Sequence, residues 1–170
     1  MILGLSKYTY TLIHVVISLI GIGSGLVVLW GMIRNKALNG ITFIFLTSTL
    51  LTSLTGFGFP NDHLTPGLKV GIISVVLLAL AIPARYVFHL GGVWRRTYVI
   101  TAAMALYLNV FVLIVQLFEK SATLRVLAPT QKEPPFVITQ LAVLLAFVVL
   151  TIFAAKNYRS EPARTLSRAA

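Results

Sequence analysis

The chain has 170 residues, of which 58% are hydrophobic and only 11% charged. Soluble domains carry roughly twice that charged fraction, so lipid is the expected solvent and a soluble globule is excluded. The net charge of +10 fits Lys/Arg-rich loops beside anionic lipid; no basic run is interleaved with aromatics, which argues against nucleic acid as a partner.

Five runs are long enough to cross a bilayer as helices, at about 20 apolar residues each. The first covers residues 11–33, between Lys7 and Arg34. It is too long for a cleaved signal peptide. One basic residue precedes it, and Arg34 and Lys36 follow, which favours a retained helix with its N-terminus outside. His14 lies in its first turn. The segment GIGSG spaces Gly21 and Gly25 as a small-residue packing face.

The second run, 41–59, is uncharged but rich in hydroxyls. Ser48, Thr52 and Thr55 are spaced i, i+4, i+7, and Thr49, Ser53 and Gly56 repeat the spacing one residue on. Small polar residues hold helices together in lipid, so this stripe, with Ser48, Thr52, Ser53 and Thr55, is expected to be buried and hydrogen-bonded between helices. Its rival role is to line a solute path. The run ends in TGFGFPNDH. Pro60 stops the helix, which places Asp62 and His63 at the mouth of the bundle or in a solvated turn.

The third run, 70–90, contains Pro83, expected to kink it, and Arg85, expected to snorkel to headgroups. The fourth, 97–118, carries small Ala102, Ala103 and Ala105. Asn109 and Gln116 are spaced i, i+7 on one of its faces. The loop KSATLRVLAPTQKEPPF contains three prolines and is expected to be extended rather than helical. The fifth run, 136–155, has Gln140 near its start. Residues 1–158 therefore form one transmembrane domain. Residues 159–170 form a basic tail without apolar periodicity, expected to be disordered.

The predicted fold is all-α, a bundle of five transmembrane helices. Arg34, Lys36, Arg85, Arg95, Arg96 and Lys156 fall on one side of it, so the C-terminus is expected to be cytoplasmic. Trp30, Trp94, Tyr98 and Tyr158 on that side, and Tyr8, Tyr10, Phe59, Phe118 and Phe136 on the other, read as aromatic belts.

Polar groups gather at the outer end. His14, Asp62, His63, Asn109, Gln116 and Gln140 are the candidate ligand-binding residues, and they suit a neutral or amphipathic molecule such as a quinone headgroup or a lipid. No mid-membrane carboxylate or lysine offers a proton relay or a Schiff base. With no cysteine, disulfides and thiolate chemistry are excluded. Haem is disfavoured, because His14 and His89 fall at opposite faces and only His14 with His63 could share an iron. His14, Asp62 and His63 are a conceivable metal set, but a solvated turn accounts better for the latter two. No nucleophile and base can be placed together, so catalysis is not expected.

The stretches TGFGFP and LAPTQKEPPF resemble segments of a family of small bacterial multi-pass membrane proteins. The resemblance spans most of the chain and implies a bacterial inner-membrane setting. It brings no activity and no functional residue. The function expected from the sequence is a binding or accessory subunit with an outer-leaflet pocket, with a membrane protein as a further partner. The alternatives are a small-solute transporter or channel lined by the Ser/Thr stripe, and a b-type haem protein.

Overall fold

The computed structural model describes residues 4–60 and 65–159. Asp62, His63 and all of the expected basic tail except Arg159 lie outside the described residues. The described chain forms six helices: α1 (Lys7–Ile33), α2 (Asn39–Phe57), α3 (Pro66–Tyr86), α4 (Val93–Lys120), α5 (Ala122–Leu127) and α6 (Pro134–Asn157). All except the six-residue α5 are long and apolar enough to cross a membrane.

Local chemistry sets several helix starts. The Ser6 hydroxyl accepts from the Thr9 amide at 3.1 Å and caps α1. Thr65 caps α3 in the same way through Leu68, and Pro66 follows at the first helical position. Pro134 and Pro135 begin α6, where missing N–H groups cost nothing. Pro83 sits in the last turn of α3, which ends at Tyr86.

The long helices run up and down. In cyclic order α1, α2, α3, α4 and α6 each pack on the next, α6 returns to α1, and α4 also touches α1 and α2. The core sits nearer the end where α2 and α4 begin. Phe45, Leu78, Ala81, Tyr98, Ala102, Ala105 and Leu106 are all at most 1% exposed there.

Glycines let α1 approach α2 and α4. A Cβ on Gly25 would sit 2.5 Å from Leu106 Cδ1 and 2.8 Å from two ring atoms of Phe45. One on Gly21 would lie 3.3 Å from Thr49 Oγ1. Ser48, Thr52 and Ser53 are buried and Thr55 is half-buried. Their hydroxyls mostly bond backward along α2 and not across to neighbours. Ser48 donates to the Ile44 carbonyl (2.6 Å), Thr52 to Ser48 (2.8 Å), Ser53 to Thr49 (3.0 Å) and Thr55 to Leu51 (2.7 Å). The expected interhelical bonding is thus corrected for Ser48, Thr52 and Ser53, whereas Thr55 Oγ1 also lies 2.8 Å from His14 Nδ1 of α1. On a helix the carbonyl four residues back is already within a short side chain's reach.

The two ends of the bundle differ. At the end where α1 and α6 finish, polar groups stitch the helices together. Arg95 donates to the carbonyls of Ala155 (3.1 Å) and Tyr158, placing a cation on the C-terminus of α6. Asn157 donates to the Ile33 carbonyl at 3.1 Å, and the Arg159 amide to Asn35 Oδ1 at 2.8 Å. Arg85 reaches sideways, donating to Asn39 Oδ1 at 2.7 Å and to the Tyr158 hydroxyl at 3.4 Å.

Two further expectations change. Tyr10, Tyr98, Tyr158, Phe118 and Phe136 are buried and are not belt residues facing lipid; Tyr8, Trp30 and Trp94 remain exposed. The loop after α4 is not wholly extended, since Ala122–Leu127 is helical and Ala128 packs with Ile114, Phe118 and Phe136. Its prolines all lie beyond that short helix, so none prevents it.

Candidate functional site

At the opposite end, α1, α2, α3 and α4 stand apart around a cavity of about 790 Å³. Its volume lies within the range usual for small-molecule sites, roughly 300–1,000 Å³. The walls are chiefly apolar, from Val15, Leu19, Phe57, Val112 and Leu113. Polar side chains are set among them, Thr11, Thr65 and Ser121 included. His14 and Ser18 come from α1, Thr52 and Ser53 from α2, Ser74 from α3, and Asn109 and Gln116 from α4. Among the described residues, charges line it only through Lys7, Glu119 and Lys120, at the helix ends.

His14 is the best-defined polar group. Its Nδ1 lies 2.8 Å from Thr55 Oγ1. That hydroxyl gives its single proton to the Leu51 carbonyl at 2.7 Å, so the network assigns the proton between them to Nδ1. Nε2 then keeps the lone pair. The ring meets Phe59 edge-on at 5.2 Å, and Tyr10 meets Phe59 likewise at 5.1 Å. Tyr10 also donates to the Thr55 carbonyl at 2.7 Å. Gly58 is required here, because a Cβ would collide with the Tyr10 hydroxyl. The imidazole is therefore held by α2 and by the start of the following loop.

Asn109 donates to Thr49 Oγ1 at the long distance of 3.5 Å, and Gln116 to Glu119 Oε2 at the same distance. Both bonds are weak, which leaves these amides able to turn toward another partner. The helical spacing of Asn109 and Gln116 places both on the cavity wall.

Gln140 does not join them. It is buried between α6 and α4, where Nε2 donates to the Phe111 carbonyl at 3.2 Å and Oε1 has no partner among the described residues. Threading put it at the right depth but could not give its direction: α6 packs on the far flank of α4. Asp62 and His63 lie outside the described residues. Among the described residues no three His, Cys, Asp or Glu side chains gather to hold a metal. His89 falls in the turn after α3, at the other end from His14.

The reading by residue type missed the contribution of α3. Gly67, Gly71 and Ser74 all line the cavity, and their i, i+4, i+7 spacing was a usable signal for a small face. Lys7 and Lys120, at the mouth, looked like ordinary loop charges.

No protein-family model, curated protein or solved structure matches the chain.

Proposed function

We propose that this protein is a multi-pass membrane binding protein of the bacterial inner membrane. In this reading it seats the polar head of a lipid-soluble molecule, a quinone or a lipid, between α1 and α4. The observation that carries it is the four-walled cavity of about 790 Å³, apolar in its body and furnished with a fixed histidine and two weakly engaged amides. An apolar body with a few directed polar groups suits an amphipathic ligand. His14 Nε2 would accept from a ligand hydroxyl, while the Asn109 and Gln116 amides would donate to a carbonyl. The Lys/Arg excess at the Arg95 end supports a cytoplasmic C-terminus, so the cavity would open to the outer leaflet.

A solute path along the α2 hydroxyls is less well supported. Only Thr52 and Ser53 of that stripe line the cavity. Beyond them, Phe45, Leu78 and Leu106 fill the interior.

Purification in mild detergent, solvent extraction and mass analysis of the retained small molecules test the binding role. His14→Leu and Asn109→Leu should each lower retention of the extracted species, while Gln140→Leu, outside the cavity, should keep it. Equal retention in all three would remove the proposal. Reporter fusions after Lys156 and near Thr130 check the orientation, and a cytoplasmic signal near Thr130 would reverse it.

A further inference from the structure

The stitched end of the bundle holds a second feature, independent of the cavity. Arg85 projects from the last turn of α3 and is half-buried. In a membrane protein such a cation usually meets an acid or escapes to water. Here its hydrogen-bond partners, Asn39 Oδ1 and the Tyr158 hydroxyl, are both neutral. The described acids, Glu119 and Glu133, lie at the other end, in the last turn of α4 and at the start of α6. The guanidinium carbon lies 5.2 Å from the centre of the Tyr98 ring and 5.8 Å from that of Tyr86. Rings and hydrogen bonds thus hold the guanidinium in place, with two of its N–H donors engaged among the described residues.

A concavity of about 420 Å³ opens beside it, lined by Asn39, Arg85, Tyr86, His89 and Leu90. The chain turns there through two left-handed residues, His89 (φ 46°) and Leu90 (φ 58°). The His89 amide donates no hydrogen bond to the described backbone. Next to this corner, Val87 and Phe88 are exposed at 64% and 42%, and Phe88 stacks on Trp94 at 3.9 Å. Arg34, Lys36, Arg96 and Lys156 surround the same end of the bundle.

We propose that the Arg85–His89 corner is a binding site for the phosphate of an anionic phospholipid. A planar guanidinium held by its neighbours suits paired hydrogen bonds to phosphate oxygens. The imidazole of His89, a residue that lines the concavity, supplies a further donor. Exposed Val87 and Phe88 offer apolar surface for acyl chains, which a free anion would not use. Basic pockets between helices at the Lys/Arg-rich side are a recurrent form of lipid headgroup site.

The test uses the full chain in neutral-detergent micelles, with phosphatidylglycerol and phosphatidylcholine offered together and retained lipid counted by native mass spectrometry. The wild-type protein should retain phosphatidylglycerol preferentially. Arg85→Gln should lower that preference about fivefold, the effect expected of one basic group near a headgroup. Arg34→Gln removes the same charge from the same end, but Arg34 lies over the Trp30 ring at 4.7 Å and outside the concavity. It should leave the preference nearly unchanged. Equal losses in the two variants would mean a diffuse field and overturn the site. Loss of the bound lipid on adding inorganic phosphate, at constant ionic strength, would assign the site to a free anion and overturn the lipid reading. Should Arg85→Gln fail to fold, His89→Ala carries the test, and an unchanged preference in it overturns the proposal.

Discussion

The contact of Gly25 with its neighbours yields a graded prediction along one helix. Replacing Gly25 with Ala puts a methyl group 2.5 Å from Leu106 Cδ1 and 2.8 Å from Phe45 ring carbons. Carbon atoms prefer about 3.5–4.0 Å, so something must move by about 1 Å. Neither neighbour has room, since Phe45 and Leu106 are each 1% exposed. Overpacking of this kind costs about 1–3 kcal/mol. Alanine's better helix propensity, up to about 1 kcal/mol, offsets little, because separated helices in the membrane remain helical before they associate. Gly21→Ala meets Thr49 Oγ1 at 3.3 Å, a milder contact that a small shift relieves, and should cost less than about 1 kcal/mol. A Cβ on Gly23 meets nothing within 4 Å, so Gly23→Ala should stay within about 0.5 kcal/mol of wild type. Equilibrium unfolding in mixed micelles, followed by circular dichroism as denaturing detergent is added, measures the series. A Gly25→Ala protein as stable as Gly23→Ala would refute the packing argument.

Three other outcomes are expected. Thr52→Val should cost less than about 0.6 kcal/mol, the average interhelical bond in a membrane protein, because its hydroxyl bonds within α2; a loss of several times that in the same unfolding assay would show an unseen cross-helix partner. Arg95→Gln should expose the end of α6 through loss of its carbonyl bonds, raising hydrogen exchange of the final-turn amides, and unchanged exchange would contradict the capping role. The Thr130 hydroxyl, followed by the Thr130 and Lys132 amides, holds the Glu133 carboxyl below its ordinary value. A lowered folded value stabilises the turn at pH above the ordinary carboxylate range. That contribution is lost as pH falls through the folded value. The Thr130 and Lys132 amide resonances should therefore titrate together below the ordinary glutamate midpoint, and a midpoint at or above it would break the assignment.

Long apolar runs are legible in sequence because a bilayer imposes a minimum length. The predicted spans 11–33, 41–59, 70–90, 97–118 and 136–155 each fall on one long helix, although the second and third extend past the ends of α2 at Phe57 and α3 at Tyr86. Depth was legible for the same reason, so His14, Asn109 and Gln116 share one end. Direction around a helix was harder. Gln140 lies at a similar depth yet points to Phe111, because nothing in one sequence says which flank of α4 receives α6. The hydroxyl stripe was readable as buried, but which of its members would bond across to a neighbour was not: Thr55 meets His14, while Ser48, Thr52 and Ser53 use the local carbonyl that a serine or threonine in a helix always has. Arg85 is legible in sequence as a headgroup-seeking side chain, but its bond to Asn39 is not, since that bond depends on the antiparallel approach of α2 and α3, which only the tertiary fold supplies.

The placement of α6 bears on how the protein is made. Every described residue lining the large cavity falls between Lys7 and Ser121, while α6 packs against α1 and α4 from outside that enclosure. Chains emerge from the ribosome N-terminus first, at roughly 5–20 residues per second. All of these lining residues are therefore synthesised before Pro134. The first four spanning helices, which supply the described lining, can pack together while the last is still being translated, and α6 then docks onto α1 and α4. Order of synthesis thus separates an early unit that carries the described cavity lining from a late helix that packs on its flank.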